Sequence, residues 1–171
     1  MTKIPIVIRE IDKYSSVTNY LELNGYEYRN EVIEQKVVEA NLRISRKLNI
    51  PLATKVFMLK RVRYVEGIPM TIETTFHLYR DVENIVEYDF SGRASLNTVI
   101  EANTHLRVCK STEKLSLALS TPLESQLLNI NEKSQILLIK GNQWDQQGKS
   151  IEYFEIVALP EFYRFKGSRP V

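Results

Sequence analysis

Two arginines and a glutamate interrupt a segment that otherwise has the pattern of two apolar strands joined by a tight turn. The segment is MLKRVRYVEGIPMTIETTFHL, residues 58–78. Arg61 and Arg63 are two residues apart, so in a strand their side chains point to the same face. Two parallel guanidinium groups can bind a carboxylate or a phosphate. The alternative is a solvated face with surface ion pairs, because a lone Arg-x-Arg pattern is a weak signal.

The turn decides on which face Glu73 lies. The loop Val65-Glu66-Gly67 suits a three-residue connection that closes with a left-handed glycine. In that register Arg61 faces Thr71, and one face carries Arg61, Arg63, Thr71 and Glu73. A two-residue turn would move Glu73 to the opposite face. One arginine can pair with Glu73, whereas the second has no obvious partner.

An internal repeat points to a second hairpin. LNIPLATKVFMLK (residues 48–60) aligns with LNINEKSQILLIK (residues 128–140) at a constant offset of 80. Each copy continues into a turn and a return strand that contains Ile-Glu, and this makes Glu152 the counterpart of Glu73. We interpret the repeat as two hairpins related by a pseudo-twofold axis in one antiparallel sheet. Coincidence between two similar strands is the alternative, and Glu152 could then be a solvent-facing carboxylate.

Ser95 is a further candidate for anion binding. The sequence SLNTVIEANT predicts a helix over residues 95–104 with Ser95 at its N-cap. A hydroxyl and free backbone N–H groups at a helix start can hold an oxyanion or a phosphate. Plain capping is the commoner role of such a serine.

The remaining patterns predict an α+β fold in which an antiparallel sheet is flanked by helices. We expect helices at residues 14–25, 39–48, 95–104 and 122–129, and strands at residues 26–38, 55–65, 68–78, 106–119, 135–144 and 149–159. Residues 79–94 have an irregular pattern, with a helical turn at 81–86. Alternation places Leu115, Leu117 and Leu119 on one face of their strand, and it favours Cys109 as a small buried hydrophobe rather than a nucleophile.

Composition narrows the class of protein. The 171 residues correspond to about one domain, and the net charge of +2 without a Lys/Arg block argues against nucleic-acid binding by this chain. The single cysteine excludes an intrachain disulfide, and no Cys/His spacing indicates a metal or another cofactor. The first residues do not form a signal peptide, and no window is apolar enough to span a membrane. We therefore expect a cytoplasmic protein.

Several of these motifs together resemble one family. LKRVRYVEGIPMTIETTFHL is similar to the signature hairpin of the UTRA domain, the effector-binding domain of GntR-type transcription regulators of the HutC subfamily. ASLN resembles the Ser-Leu-Tyr helix start of that family, GKSIEYFEIVALPEFYRF resembles its closing strand, and YSSVTNYLELNG resembles its opening segment. The resemblance covers about residues 14–165.

The resemblance implies a chorismate-lyase-like fold, a homodimer and a pocket for a small anionic effector, either a sugar phosphate or a carboxylate. By position, Arg61 and Arg63 match the basic pair that holds the anion, and Ser95 matches the helix-start hydroxyl. Glu73 and Glu152 match acidic residues that receive hydroxyl or amino groups of the ligand. It implies no catalytic residue.

Some positions depart from the family pattern. Asn97 replaces the tyrosine of Ser-Leu-Tyr, Ala158 stands near a closing-strand tyrosine, and Leu159-Pro160-Glu161 replaces Arg-Gly-Asp. These departures leave the anion grip intact and alter the part that recognises the rest of the ligand. We expect residues 1–13 to be linker, residues 14–165 to form the domain and residues 166–171 to be a disordered tail. DNA would be bound only through an N-terminal winged-helix domain that this chain does not contain.

Two other functions compete with effector sensing. A chorismate-lyase-like enzyme acting on a small carboxylate would also need arginines, although no activated nucleophile or acid–base pair stands out. A dimerisation scaffold would have a pocket filled by its own side chains.

Overall fold

The computed structural model describes residues 4–171; residues 1–3, part of the predicted linker, lie outside the described residues. Within them the strands are β1 (Val7–Glu10), β2 (Tyr28–Glu39), β3 (Lys55–Val65), β4 (Ile68–Leu78), β5 (Lys110–Leu119), β6 (Gln135–Trp144), β7 (Ser150–Ala158) and β8 (Tyr163–Lys166). The helices are α1 (Val17–Leu23), α2 (Leu42–Leu48), α3 (Tyr79–Val82), α4 (Leu96–Asn103) and α5 (Pro122–Leu128), and a turn of 3₁₀ helix at Glu83–Ile85 follows α3.

Six of the strands form one antiparallel sheet in the order β2-β3-β4-β7-β6-β5. The remaining two, β1 and β8, pair in parallel as a separate ribbon. The predicted α+β fold, an antiparallel sheet flanked by helices, is confirmed. The strand order is symmetric about the junction of β4 and β7, so the hairpin β3–β4 and the hairpin β6–β7 lie on opposite sides of a pseudo-twofold axis.

The local backbone repeats with the same symmetry. α2 and α5 both end at an asparagine with positive φ, Asn49 at 54° and Asn129 at 53°. Both hairpins also contain a bulge at the same place, after Arg63 in one copy and after its counterpart Gln143 in the other. An asparagine tolerates the left-handed conformation better than most residues, which explains why it is found at both helix ends.

The strand pairing corrects the predicted counterpart of Glu73. Glu73 pairs with Arg61, and the counterpart of Arg61 is Gly141, which pairs with Phe154. Phe154 is therefore the structural equivalent of Glu73, whereas Glu152 is the equivalent of Thr71. The sequence alignment was wrong by two residues on the return strand because the loop between β6 and β7 is longer than the loop between β3 and β4.

The predicted three-residue turn of the first hairpin is also wrong. Only Glu66 and Gly67 connect the strands, and both have positive φ, 51° and 75°, as a type I′ turn requires. Such a turn alone would send Glu73 to the face opposite Arg61. The bulge leaves Met70 without a partner and restores the alternation, so that Glu73 faces Arg61 and Thr71 faces Arg63.

Helices cover the two faces of the sheet with separate apolar clusters. On one face α2 packs through Ile44 and Leu48 in a cluster that includes Phe76. On the opposite face the cluster of α4 contains Leu96, Val99 and Ile100 together with Phe57 and Leu59 of β3. Because side chains alternate along β3, the face that carries Phe57 and Leu59 also carries Arg61 and Arg63.

The strand β5 differs from its prediction. It begins at Lys110, and Cys109 before it is exposed, so the expectation of a buried Cys109 is wrong. β5 is an edge strand that pairs only with β6 among the described strands. Its apolar face is open to solvent, since Leu115, Leu117 and Leu119 are 40%, 60% and 63% exposed.

The ribbon of β1 and β8 brings one segment from the N-terminal part and one from the C-terminal part of the described residues into the fold. Val7 of β1 is 1% exposed and belongs to the main apolar cluster, and Lys166 still pairs with Glu10. The boundaries drawn from the sequence at residues 14 and 165 therefore leave out residues that the folded unit contains. In the part of the chain from residue 4 onward, no helix has the length and apolar character needed to cross a membrane.

Gly141 leaves room for the ring of Phe154, its cross-strand neighbour on β7. A Cβ atom at Gly141 would come within 2.3 Å of the carbonyl oxygen of Thr112 and 2.4 Å of the Phe154 ring. Both distances are far below van der Waals contact, and the carbonyl belongs to a paired strand that cannot move freely. A side chain at this position would displace Phe154 or separate β5 from β6.

Gly141→Ala should therefore lower the free energy of unfolding by about 1–3 kcal/mol, the usual cost of overpacking. Urea unfolding followed by circular dichroism measures this change. Ser116→Ala, on the exposed part of β5, is the matched control and should change the free energy by less than about 0.5 kcal/mol. Equal stability of Gly141→Ala and the wild type would contradict the close approach of Phe154.

Candidate functional site

One cavity brings together all five residues selected from the sequence. Its volume is about 130 Å³, and its walls include Arg61, Arg63, Glu73, Ser95 and Glu152. The sheet supplies four of them from β3, β4 and β7, and Ser95 stands at the start of α4. The two bulges turn the return strands so that Glu73 and Glu152 face the cavity.

Arg63 and Glu73 form a buried ion pair with two hydrogen bonds. Arg63 Nε donates to Glu73 Oε1 at 3.0 Å, and Arg63 Nη2 donates to Glu73 Oε2 at 3.3 Å. The third nitrogen, Nη1, donates to Thr18 Oγ1 of α1 at 3.0 Å. Arg63 is only 5% exposed, so this pair is screened from water and connects the sheet to α1.

Arg61 has partners that the sequence did not reveal. Its Nη1 donates to the carbonyl oxygen of Ala94 at 2.9 Å and to that of Phe90 at 3.4 Å. Its Nη2 lies 3.5 Å from Glu73 Oε2, so both arginines share one carboxylate. The expectation that the second arginine lacks a partner is wrong, because it holds the segment that leads into α4.

The charges of these groups shift one another's pKa values. Burial alone would raise the pKa of Glu73, but attraction to Arg63 and Arg61 and hydrogen bonds from Arg63 and Thr71 outweigh it, and the pKa lies below the ordinary value of 4.5. Burial lowers the pKa of Arg61; Glu73 opposes this effect and repulsion from Arg63 adds to it. Glu73 is thus a carboxylate that holds two guanidinium groups close together.

The arginine pair retains donors for a ligand. Two hydrogen bonds from Arg61 and three from Arg63 use half of the ten N–H donors that the two guanidinium groups possess. The remaining N–H groups make no hydrogen bond to the described residues, and both arginines line the cavity. The arrangement can therefore serve the fold and bind an anion at the same time.

Ser95 has the predicted position at the start of α4. Its Oγ accepts a hydrogen bond from the backbone N–H of Thr98 at 3.4 Å, so the serine caps the helix. Asn97, two residues further, donates to the hydroxyl of Tyr14 at 3.1 Å. Ser95 thus performs the plain capping role and also borders the cavity, and these two roles are compatible.

Sequence reasoning missed two polar residues next to Glu152, namely His77 and Gln143. His77 Nε2 lies 3.1 Å from Glu152 Oε2, and His77 and Glu152 are 1% and 6% exposed. Gln143 is also buried and lies on the cavity wall. The sequence did contain an indication of His77: Glu73 and His77 are four residues apart on β4, and residues four apart in a strand share a face.

The N-terminal segment also reaches the cavity, which the sequence did not indicate. Ser16 caps α1 through a hydrogen bond from Asn19 N–H, and it borders the cavity together with Thr18. Arg9 of β1 lines it as well and pairs with Glu113 of β5 at 2.7 Å. The Ser-x-Thr motif at the start of α1 is the sequence feature from which Ser16 and Thr18 could have been selected as cavity residues.

A wider groove of about 550 Å³ adjoins the cavity and shares Arg9, Tyr14 and Glu113 with it. The groove has no buried pair of cations on its walls, so the smaller cavity is the better candidate for ligand binding. Within residues 4–171, no group of three His, Cys, Asp or Glu side chains could hold a metal ion.

Arg63→Met should lower the free energy of unfolding by about 3–5 kcal/mol at pH 7, because Glu73 would remain buried without its main partner. Because the pKa of Glu73 is lower in the folded state, its carboxylate contributes fully to the free energy of unfolding above its unfolded-state pKa near 4.5. This contribution to stability is lost as pH falls through the folded-state pKa. The difference between wild type and variant should therefore shrink in acid. Urea unfolding from pH 3 to pH 7 measures it.

Arg80→Met is the matched control, because the Arg80 side chain is 76% exposed and its removal should have little effect at any pH. A stability difference for Arg63→Met that is small at pH 7, or that does not depend on pH, would contradict the role of the buried pair.

This chain is similar in sequence to known proteins. Residues 23–164 match the family model described as UTRA domain. The transcriptional repressor NagR of Bacillus subtilis is 21% identical over 161 residues, which cover 94% of this chain and 65% of NagR. The transcriptional regulator GgaR of Escherichia coli is 25% identical over 126 residues, which cover 71% of this chain and 47% of GgaR. The chain thus spans about half to two thirds of the length of these relatives.

Solved structures share the fold. The crystal structure of PhnF from Mycobacterium smegmatis superposes with a TM-score of 0.87 at 18% identity and covers 97% of this chain and 72% of PhnF. The separate effector domain of PhnF gives a TM-score of 0.83 at 19% identity, covering 91% of this chain and 95% of that domain.

The relatives are transcription regulators, which supports a non-enzymatic domain over a chorismate-lyase-like enzyme. The chain therefore belongs to the UTRA domain family.

Proposed function

We propose that this chain senses a small anionic metabolite for a cytoplasmic GntR-type regulator of the HutC subfamily. The metabolite is a sugar phosphate or a carboxylate, and it binds in the cavity lined by Arg61 and Arg63. The observation that carries the proposal is a pair of buried arginines, 4% and 5% exposed, on the wall of an open cavity with half of their donors unused. Ser95, Glu73 and Glu152 complete the polar lining.

Burial makes these arginines effective for anion binding. A guanidinium group that is screened from water binds an anion more strongly than an exposed group, because the local dielectric is low. Arg61 and Arg63 are also held in fixed positions by Ala94, Glu73 and Thr18, so little conformational entropy is lost on binding. A flexible surface cluster of lysines would lack both advantages.

Control of DNA binding belongs to the longer protein of which such a domain is a part. NagR and GgaR extend well beyond the region they share with this chain. We propose that a winged-helix domain on the N-terminal side binds DNA, and that the ligand acts on it through the first structural elements. Thr18 of α1 and Arg9 of β1 both line the cavity, so a bound anion would act directly on the segment nearest to that domain.

The experiment is a thermal-unfolding screen of the chain with sulfate, phosphate, sugar phosphates and small carboxylates. At a ligand concentration of about 100 times Kd, linkage gives about 2.7 kcal/mol of stabilisation, which is about 5–10 °C in Tm for a domain of this size. Arg61→Met should weaken the best ligand by about 2–5 kcal/mol and remove most of the shift.

Arg80→Met removes an exposed positive charge and should keep the full ligand-induced shift. Arg61→Lys retains the charge with fewer donors, and it serves as the second variant if Arg61→Met does not fold. A ligand-induced shift that survives in both Arg61 variants would show that the anion binds elsewhere, and a screen without any shift would contradict the proposal.

We also propose that the domain forms a symmetric homodimer through β5. This strand has an unpaired edge, and its exposed leucines at positions 115, 117 and 119 lie on one face. An unpaired edge with an apolar face is unfavourable in water and tends to pair with a second chain. Two copies of β5 in antiparallel orientation would bring the leucines of each copy close together.

Leu117→Lys should convert this dimer to a monomer, because two lysines would meet near the twofold axis. Size-exclusion chromatography with light scattering at high micromolar concentration measures the mass. Leu52→Lys changes a leucine that is 60% exposed in the turn before β3, and it should leave the dimer intact. A monomeric wild type, or a dimer that Leu117→Lys does not affect, would overturn the assignment of β5.

A further inference from the structure

A groove rich in lysine lies on the face of the sheet opposite the arginine cavity. Its volume is about 500 Å³, and its walls include Lys47 of α2, Lys114 of β5 and Lys140 of β6. Gln143 of β6 borders the arginine cavity, and because side chains alternate along a strand, Lys140 points to the other face. The sheet therefore separates this lysine groove from Arg61 and the rest of the arginine cavity.

The positive charge of the lysine groove is not balanced by nearby carboxylates. Lys114 and Lys140 are directly opposite each other on neighbouring strands, and like charges in such positions destabilise a sheet. Among residues 4–171, no carboxylate forms an ion pair with either of them or with Lys47. Glu155, the cross-strand neighbour of Lys140 on β7, forms an ion pair with Arg43 instead.

The first hairpin has balanced charges at the equivalent place. At the offset of 80 residues that relates the two copies, Glu34 and Lys60 are the counterparts of Lys114 and Lys140. Glu34 and Lys60 are also directly opposite each other on neighbouring strands. Lys60 Nζ lies 3.6 Å from Glu34 Oε1, so these two charges compensate each other. The fold therefore does not require two lysines at this place, and the second copy carries one where the first carries a glutamate.

Protection of an edge strand does not account for both lysines. Lysine is common on edge strands because it discourages pairing with other chains, and this would explain Lys114 on β5. Lys140 lies on β6, which is paired on both sides, and it is partly buried. A partly buried ammonium group beside a second one is unfavourable unless an anion compensates both charges. The pair therefore indicates a site for an anion.

We infer that the lysine groove binds a compact polyanion with two or three linked phosphate groups, either free or as part of a nucleotide. A phosphate ester carries about −1.5 to −2 charges at pH 7 and three acceptor oxygens, so linked phosphates can compensate three lysines at once. Thr112 and Ser116 flank Lys114 on the same face and add hydroxyl donors to the groove wall. An acidic peptide fits less well, because carboxylates on one face of an extended segment are about 7 Å apart and carry one charge each.

The test is titration calorimetry with inorganic phosphate, tripolyphosphate and ATP in the absence of divalent cations. The wild type should bind tripolyphosphate about tenfold or more tightly than inorganic phosphate. Lys114→Glu recreates the Glu–Lys pair of the first hairpin, so it should weaken tripolyphosphate binding by about tenfold or more. Its Tm without ligand should equal or exceed that of the wild type, because two like charges no longer face each other. Tighter binding of ATP than of tripolyphosphate would identify a nucleotide, and equal binding would identify the phosphate chain alone.

Lys60→Gln is the matched control from the first hairpin. Lys60 lies on β3, three strands from β6 and therefore about 14 Å away, so salt screens it from the groove and the affinity should stay within about twofold. Arg61→Lys, in the arginine cavity, should also retain tripolyphosphate binding. If Arg61→Lys weakens that binding and Lys114→Glu does not, the polyanion binds in the arginine cavity and the lysine groove is wrongly assigned. No binding of tripolyphosphate, or tighter binding of a hexaglutamate peptide, would also overturn the inference.

Discussion

The buried pair of Arg63 and Glu73 is the interaction on which the arrangement of the site depends. Two charges removed from water cost several kcal/mol each unless they are paired and hydrogen-bonded, so the surrounding structure must keep them together. The bulge at Met70 is the device that does so, because without it Glu73 would lie on the other face of β4. The same pair fixes α1 through Thr18 and shares its carboxylate with Arg61, which holds the segment before α4. Two segments around the cavity, α1 and the connection before α4, are therefore positioned on the sheet through one carboxylate.

The pseudo-twofold repeat explains how a small domain can make a cavity with two different ends. Both hairpins carry a bulge at the same place, and each bulge turns a return strand toward the cavity. The side chains at the equivalent positions have diverged, since Arg61 and Arg63 in one copy correspond to Gly141 and Gln143 in the other. The glycine makes room for Phe154, which lies where Glu73 lies in the first copy. Backbone symmetry with asymmetric side chains produces a site that can distinguish the two ends of a ligand.

Much of this could be predicted from the sequence, and the failures have physical causes. Alternation correctly placed Arg61, Arg63 and Glu73 on one face, although the predicted pairing was wrong. The predicted loop was one residue longer than the observed turn, and that extra residue shifts the alternation of the return strand in the same way as the bulge that was not predicted. Cys109 and the leucines of β5 fit a buried pattern, but burial depends on which strand is at the edge of the sheet, and local periodicity does not contain that information. The contacts of Arg61 with the carbonyl groups of Phe90 and Ala94 depend on the path of a long connection, which has no periodic pattern.

Charge balance indicates how an anion would enter the site on the proposed function. Three carboxylates, Glu73, Glu113 and Glu152, line the cavity with Arg9, Arg61 and Arg63, and His77 adjoins Glu152. An incoming anion must find unused donors or displace a carboxylate. The side chain of Glu113 is 25% exposed and bonded to Arg9 alone among the described residues, whereas Glu73 is held by two arginines and Thr71. Displacement of Glu113 therefore costs less, because its carboxylate can turn to water. Arg9 would then turn to the ligand, and since it belongs to β1, anion binding would change the contacts of the N-terminal strand before those of the buried pair.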